Sequence, residues 1–156
     1  KRTLLKSDAT FKLLISPTPM VGPDSTTKRD NHVNPKGFRH EGDAFFEWLQ
    51  DSGFSTERFF IVCGDRHWQY RAIHPSGFQE FSCGALVDAN STRGHFPGEP
   101  RSSDPKGKVR QPFHDETPSG GFLLAKVSDR RDGRVQMKFV FYDEMGRVVY
   151  QYTAGD

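Results

Sequence analysis

Residues 64–67, Gly-Asp-Arg-His, place a carboxylate, a guanidinium and an imidazole in succession directly after the apolar run "FFIVC". In an extended segment, Asp65 and His67 at i and i+2 point to one side while Arg66 points to the other. That spacing suits a two-toothed grip on a metal ion, with the planar fork of Arg66 beside it for a phosphate or carboxylate. Gly64 permits a sharp or left-handed backbone and close approach of a ligand. Two ligands are too few, because a catalytic zinc, for example, takes three from the protein. The next richest stretch lies upstream, where Asp24, Lys28, Arg29, Asp30, His32, Arg39 and His40 share one polar segment. Folded over the strand end, its cations could clamp a phosphoryl oxyanion; left in water, it is a solvated loop. His95, His114 and Asp115 are weaker candidates, and Trp68 and Tyr70 read as packing or rim residues.

Such a site needs a fixed platform. The unbroken run Phe59 to Cys63 predicts a strand covered on both faces, as in a parallel sheet. In open α/β sheets the carboxyl ends of such strands are where ligands bind. Upstream, "FKLLIS" (11–16) reads as a strand stopped by Pro17 and Pro19. Over about 41–51, Phe45, Phe46 and Leu49 make an apolar stripe at helical spacing, with Asp43 to cap the start and Gly53 to end it. Strand, loop with helix, and strand together predict a βαβ-like unit. "QYRAIHP" and "FQEFSC" flank Pro75-Ser76-Gly77 as a hairpin, and "GFLLAKVS", "RVQMKFVFY" and "RVVYQYT" form an antiparallel meander with turns at Asp132-Gly133 and Gly146. Residues 17–40 and 84–120 read as long loops.

The chain of 156 residues fits one domain, 1–156, and its 14 Phe compensate for an apolar fraction of only 34%. With 22 basic against 20 acidic residues the net charge is +2, so no whole-chain field argues for nucleic acid or a membrane surface. No apolar run is long enough for a membrane span, and the first residues lack the pattern of a signal peptide. Cys63 and Cys83 lack metal or redox spacing and leave the redox compartment open. Without an initiator Met, the sequence reads as a fragment of a longer protein.

The segments "LLISPTPMVGPDS", "KRDNH", "HEGDAFFEWL", "FFIVCGDRHWQY" and "EFSCGAL", in this order, resemble the C-terminal part of PhoD-like alkaline phosphatases, a branch of the calcineurin-like metallophosphoesterases, over about Leu5 to Tyr152. The resemblance implies a two-layer sheet sandwich flanked by helices, with two or more metal ions (Ca, Fe, Mn or Zn) at the strand ends and hydrolysis of phosphomonoesters and phosphodiesters by metal-activated water. It carries Asp65 and His67 over as metal-site residues, and Arg66, Asp30 and His32 as active-site wall or substrate-side residues. The family's earlier metal motifs, which contain Asp and Asn, have no counterpart before residue 64.

The expected fold class is therefore α/β (α+β): the C-terminal half of a metallophosphoesterase sandwich, with a mixed sheet, a helix and a C-terminal antiparallel meander. The isolated chain is expected to be inactive and to need its missing N-terminal half or a homo-oligomer partner over an open sheet edge and an uncovered apolar face. Relatives of this kind are often exported, which implies a periplasmic or secreted parent protein. The competing reading is a non-catalytic binding module that docks an anionic polymer or a protein partner through Lys28, Arg29 and Arg39.

Overall fold

A computed structural model describes residues 1–155. Its first strands and main helix are β1 (Lys12–Ser16), α2 (Arg39–Asp51) and β2 (Phe59–Cys63), preceded by a single short helical turn, α1 (Arg2–Lys6), which the sequence reading does not anticipate. β1 and β2 lie parallel with Leu14 opposite Ile61, which is the predicted βαβ arrangement. The hairpin strands β3 (Gln69–Ile73) and β4 (Gln79–Cys83) pair antiparallel, and β4 joins β2 in parallel. A fifth strand, β5 (Arg110–His114), completes the order β1-β2-β4-β3-β5.

β5 lies inside the stretch 84–120 that was expected to be loop. Its five residues, "RQPFH", are too few and too polar to show a period, and Pro112 removes a ladder donor, which only an edge strand tolerates. The meander is present as β6 (Gly121–Asp129), β7 (Val135–Asp143) and β8 (Val148–Ala154), a separate antiparallel sheet.

Alternation along β2 explains its unbroken apolar run. Phe59, Ile61 and Cys63 join a core with Phe46 and Leu49 of α2 and Val21 of the loop, whereas Phe60 joins Phe81, Met137, Phe139 and Phe141 between the two sheets. The layers thus run helix and loop, five-stranded mixed sheet, three-stranded sheet. The rings of Phe81 and Phe139 stack at 3.9 Å across the inter-sheet core.

The start of α2 departs from expectation. It begins at Arg39, Phe38 is the N-cap with no side-chain bond, and Asp43 lies inside the helix. The preceding loop fixes this start instead: Phe38 N–H donates to Asn31 O, and Arg39 N–H to Asn34 O. Gly53 does end the helix, with φ 71° and its N–H on Gln50 O.

Two apolar strips stay uncovered. Leu13 and Ile15 of the edge strand β1 face the same way as their register partners Phe60 and Val62, yet the three-stranded sheet does not reach them, and Ile15 is 76% exposed. On β6, Ala125 and Val127 stand opposite the core residues Phe139 and Met137 and are exposed as well.

Candidate functional site

β2 delivers the chain to its carboxyl end, where Gly64 N–H donates to Ser16 O of the neighbouring β1 at 3.1 Å. The next residue does not stay extended. Asp65 has φ 64°, the only positive value at a non-glycine among the described residues. Expecting Asp65 and His67 to share a side on the strength of an extended chain is therefore incorrect, because a left-handed residue rotates the peptide that follows it. The turn drives Arg66 inward and leaves both Asp65 and His67 exposed.

Arg66 is the pivot of this corner. Its side chain is 2% exposed, and Nη1 lies 3.0 Å from Asp24 Oδ2 and 3.7 Å from Asp65 Oδ2. The guanidinium sits over the Trp68 ring at 5.3 Å. Nε and Nη2 are buried and have no hydrogen-bond partner. They form the edge of the fork that binds oxyanions in bidentate fashion.

Asp24 was expected in an exposed loop but is buried. Its Oδ2 accepts Asn31 Nδ2 at 2.8 Å, its Oδ1 accepts Ser25 N–H at 2.6 Å, and its own N–H donates to Ser103 Oγ. The Asn31 amide also reaches the exposed Asp30 at 3.2 Å, while its oxygen accepts from Asn34 and Val33 N–H. Asp65, Arg66, Asp24, Asn31 and Asp30 thus form one continuous constellation.

His32 departs from this group. Its Nε2 lies 3.7 Å from Glu41, its ring is 6.1 Å from Phe38, and it lines a cleft of about 290 Å³ with Arg39, Asp43, His74 and Lys108. Asp65, Arg66 and His67 do not line that cleft. The structure therefore does not join His32 to the strand-end residues, because Gly42 of α2 lets the helix close against it. Burial lowers the pKa of the cleft's His74 to about 4, with Asp43 opposing and Arg39 reinforcing that effect.

Arg39 is a clamp within the fold, since its Nη2 donates to the carbonyls of Ser103, at 2.7 Å, and of Val33. His114 stacks on Phe96 at 3.8 Å, and burial lowers its pKa. His95 meets the edge of the Trp68 system at 6.3 Å, and burial raises the pKa of Asp115. Trp68 and Tyr70 are buried packing residues, as expected.

Sequence reasoning missed Glu80 and Asn31. Glu80 is fully buried in β4, where its carboxylate accepts Met20, Val21 and Gly22 N–H and the Tyr70 hydroxyl. Its signal was a lone charge between Phe78 and Phe81 in a strand that both layers cover. Asn31 stood in plain view between Asp30 and His32, but an amide among charged neighbours attracts no attention.

Among the described residues, no group of three or more His, Cys, Asp or Glu side chains comes together as a metal cage. No helix among them is long and apolar enough to cross a membrane. Comparison of the chain with protein-family models and with curated proteins finds no match.

Proposed function

We propose that this chain supplies one wall of a metal-dependent phosphoesterase site, with the other metal ligands contributed by further sequence of the parent protein or by a partner chain. The observation that carries the reading is the corner at the end of β2. There the exposed Asp65 and His67 flank a buried Arg66 whose Nε and Nη2 are vacant. Asp65 keeps a half-exposed carboxylate that Arg66 only approaches at 3.7 Å, so its oxygens remain open to an ion. Asp65 and His67 are of types that Ca, Fe, Mn or Zn sites use.

Bound metal ions would lower the pKa of a water and neutralise charge on the phosphoryl group. The chain's own residues do the rest. Asp65 and His67 hold their side of the ions, Arg66, buried against Asp24, backs the corner from beneath where its cationic field reaches the phosphoryl group, and Asp30 stands on the facing loop. The substrate class is a phosphate ester, monoester or diester. The uncovered strips on β1 and β6 support the same reading, since exposed apolar faces on edge strands call for a covering surface.

The binding-module alternative is weaker. Arg39 is held by two carbonyls and cannot join Lys28 and Arg29 in a free cationic patch. The test is metal analysis of the full-length gene product together with hydrolysis of bis(p-nitrophenyl) phosphate. Metal-dependent turnover by the full-length product and none by the 156-residue chain is the expected pair of results. Salt-sensitive binding of a polyanion, lost in Lys28→Ala/Arg29→Ala and indifferent to chelator, favours the alternative.

A further inference from the structure

The loop between β1 and α2 is fastened at two separate points. At the first, Glu80 gathers the N–H groups of residues 20–22. At the second, Asp24 grips the strand-end corner: its Oδ2 meets Arg66 Nη1 at 3.0 Å and Asn31 Nδ2 at 2.8 Å. The line continues outward in both directions, from Arg66 to Asp65 at 3.7 Å and from Asn31 to Asp30 at 3.2 Å. Its middle members are buried and its two end carboxylates are exposed.

Burial gives this line its force. An exposed ion pair contributes little, but one whose partners have left water cannot lose a member without stranding a charge. Arg66 and Asp24 are 2% and 5% exposed at their side chains, so neither moves independently. The left-handed backbone of Asp65 is a conformation that persists only where surrounding structure imposes it.

We propose that Asp24 is a positioning residue: through Arg66 it fixes Asp65, through Asn31 it fixes Asp30, and the loop and strand end present their carboxylates as one unit. This rests on the reading of Asp65 and His67 as a metal edge, and adds to it two residues that touch neither metal nor substrate. Asp24→Asn keeps the shape but removes the counter-charge of Arg66. Glu80→Gln disturbs the same loop at its other anchor and serves as the comparison. Tyr70→Phe, a milder lesion at that anchor, replaces it if Glu80→Gln does not fold. Asn31→Ser plays the same part for Asp24→Asn, removing the arm to Asp30 together with the Asn31 side-chain bonds to Asp24, Val33 and Asn34 while leaving the Asp24–Arg66 pair in place.

Hydrogen exchange on the 156-residue chain reads the positioning directly. In Asp24→Asn the amides of residues 64–68 exchange about tenfold faster or more, whereas the Glu80 lesion accelerates residues 20–22 and leaves 64–68 near wild type. Asn31→Ser accelerates the amide of Val33, whose acceptor is Asn31 Oδ1. In the manganese-loaded full-length gene product, Asp24→Asn lowers kcat for bis(p-nitrophenyl) phosphate about 10- to 100-fold with little change in KM, and the Glu80 lesion does not. Unchanged exchange at 64–68, or equal kcat losses at the two anchors, overturns the positioning role. A wild-type product with no metal-dependent hydrolysis, alongside the same exchange pattern, overturns the phosphoesterase reading and leaves the mechanical link standing.

Discussion

Glu80 and Gly22 stand 58 residues apart in sequence, and the Glu80 carboxylate accepts the Gly22 N–H at 2.8 Å. Together with the bonds from Met20, Val21 and the Tyr70 hydroxyl, this pins a loop without a period of its own onto the mixed sheet. Removing the carboxylate leaves several buried donors without an acceptor, each costing about 1–3 kcal/mol. Glu80→Ala is therefore expected to lose about 3 kcal/mol or more in urea unfolding. A loss below about 1 kcal/mol means the loop finds other acceptors.

Asp65 separates stability from function. Its φ of 64° disfavours an L side chain, and glycine adopts it freely. Asp65→Gly is expected to raise stability by up to about 1 kcal/mol while abolishing metal-dependent hydrolysis. Asp65→Val, β-branched at the same φ, is expected to unfold at lower temperature than both. Thermal melts of the three proteins check the order, and a Gly variant less stable than wild type shows that the carboxylate contributes more than the strain removes.

His74 sets an acid limit. Its ring stacks on Phe46 at 4.0 Å, and burial lowers its pKa from 6.5 to about 4. Between those values the unfolded chain binds more protons than the folded one, so stability falls as pH drops through that window and is fully present above it. Unfolding free energies measured from pH 7 to pH 4 are expected to decline, with a shallower decline in His74→Phe. Parallel pH profiles for the two proteins would assign the acid sensitivity to other groups.

The inter-sheet core depends on aromatic stacking. Phe139 contacts Phe81 at 3.9 Å and Phe60 at 5.2 Å and is fully buried. Phe139→Ala is expected to cost about 3–5 kcal/mol and Phe139→Leu considerably less. Equal losses would show that filling the volume is not enough and that the ring geometry itself carries the contribution.

The elements legible in the sequence were those whose pattern is local. The β2 run, the β3–β4 hairpin, the meander and the stripe on α2 each carry their period within ten or so residues. β5 was not legible, because an edge strand of five residues interrupted by Pro112 is specified by its neighbour β3 and not by its own pattern. The helix start was misplaced for a related reason, since carbonyls of Asn31 and Asn34 fix it where a capping side chain was sought. At the end of β2, residue types marked the corner as a candidate but did not give its geometry. Whether Asp65 is extended, and whether Asp24 is solvated, depends on a contact between residues 24 and 66 that no local spacing encodes. His32 lies close to Asp30 in sequence, yet its side chain turns to Glu41 and the cleft beside α2, which no local spacing encodes.

Asp65 and His67 are proposed to form one edge of a metal site for phosphate-ester hydrolysis. The most direct measurement compares wild-type and His67→Ala full-length gene product in metal-replete hydrolysis of bis(p-nitrophenyl) phosphate, with circular dichroism to confirm the fold. The exposed position of His67 means its loss leaves the core intact. Chelator-sensitive turnover in the wild type and a loss of about 100-fold or more in His67→Ala are the expected results. Turnover unchanged by the substitution, or a metal-replete wild type that hydrolyses nothing, contradicts the proposal.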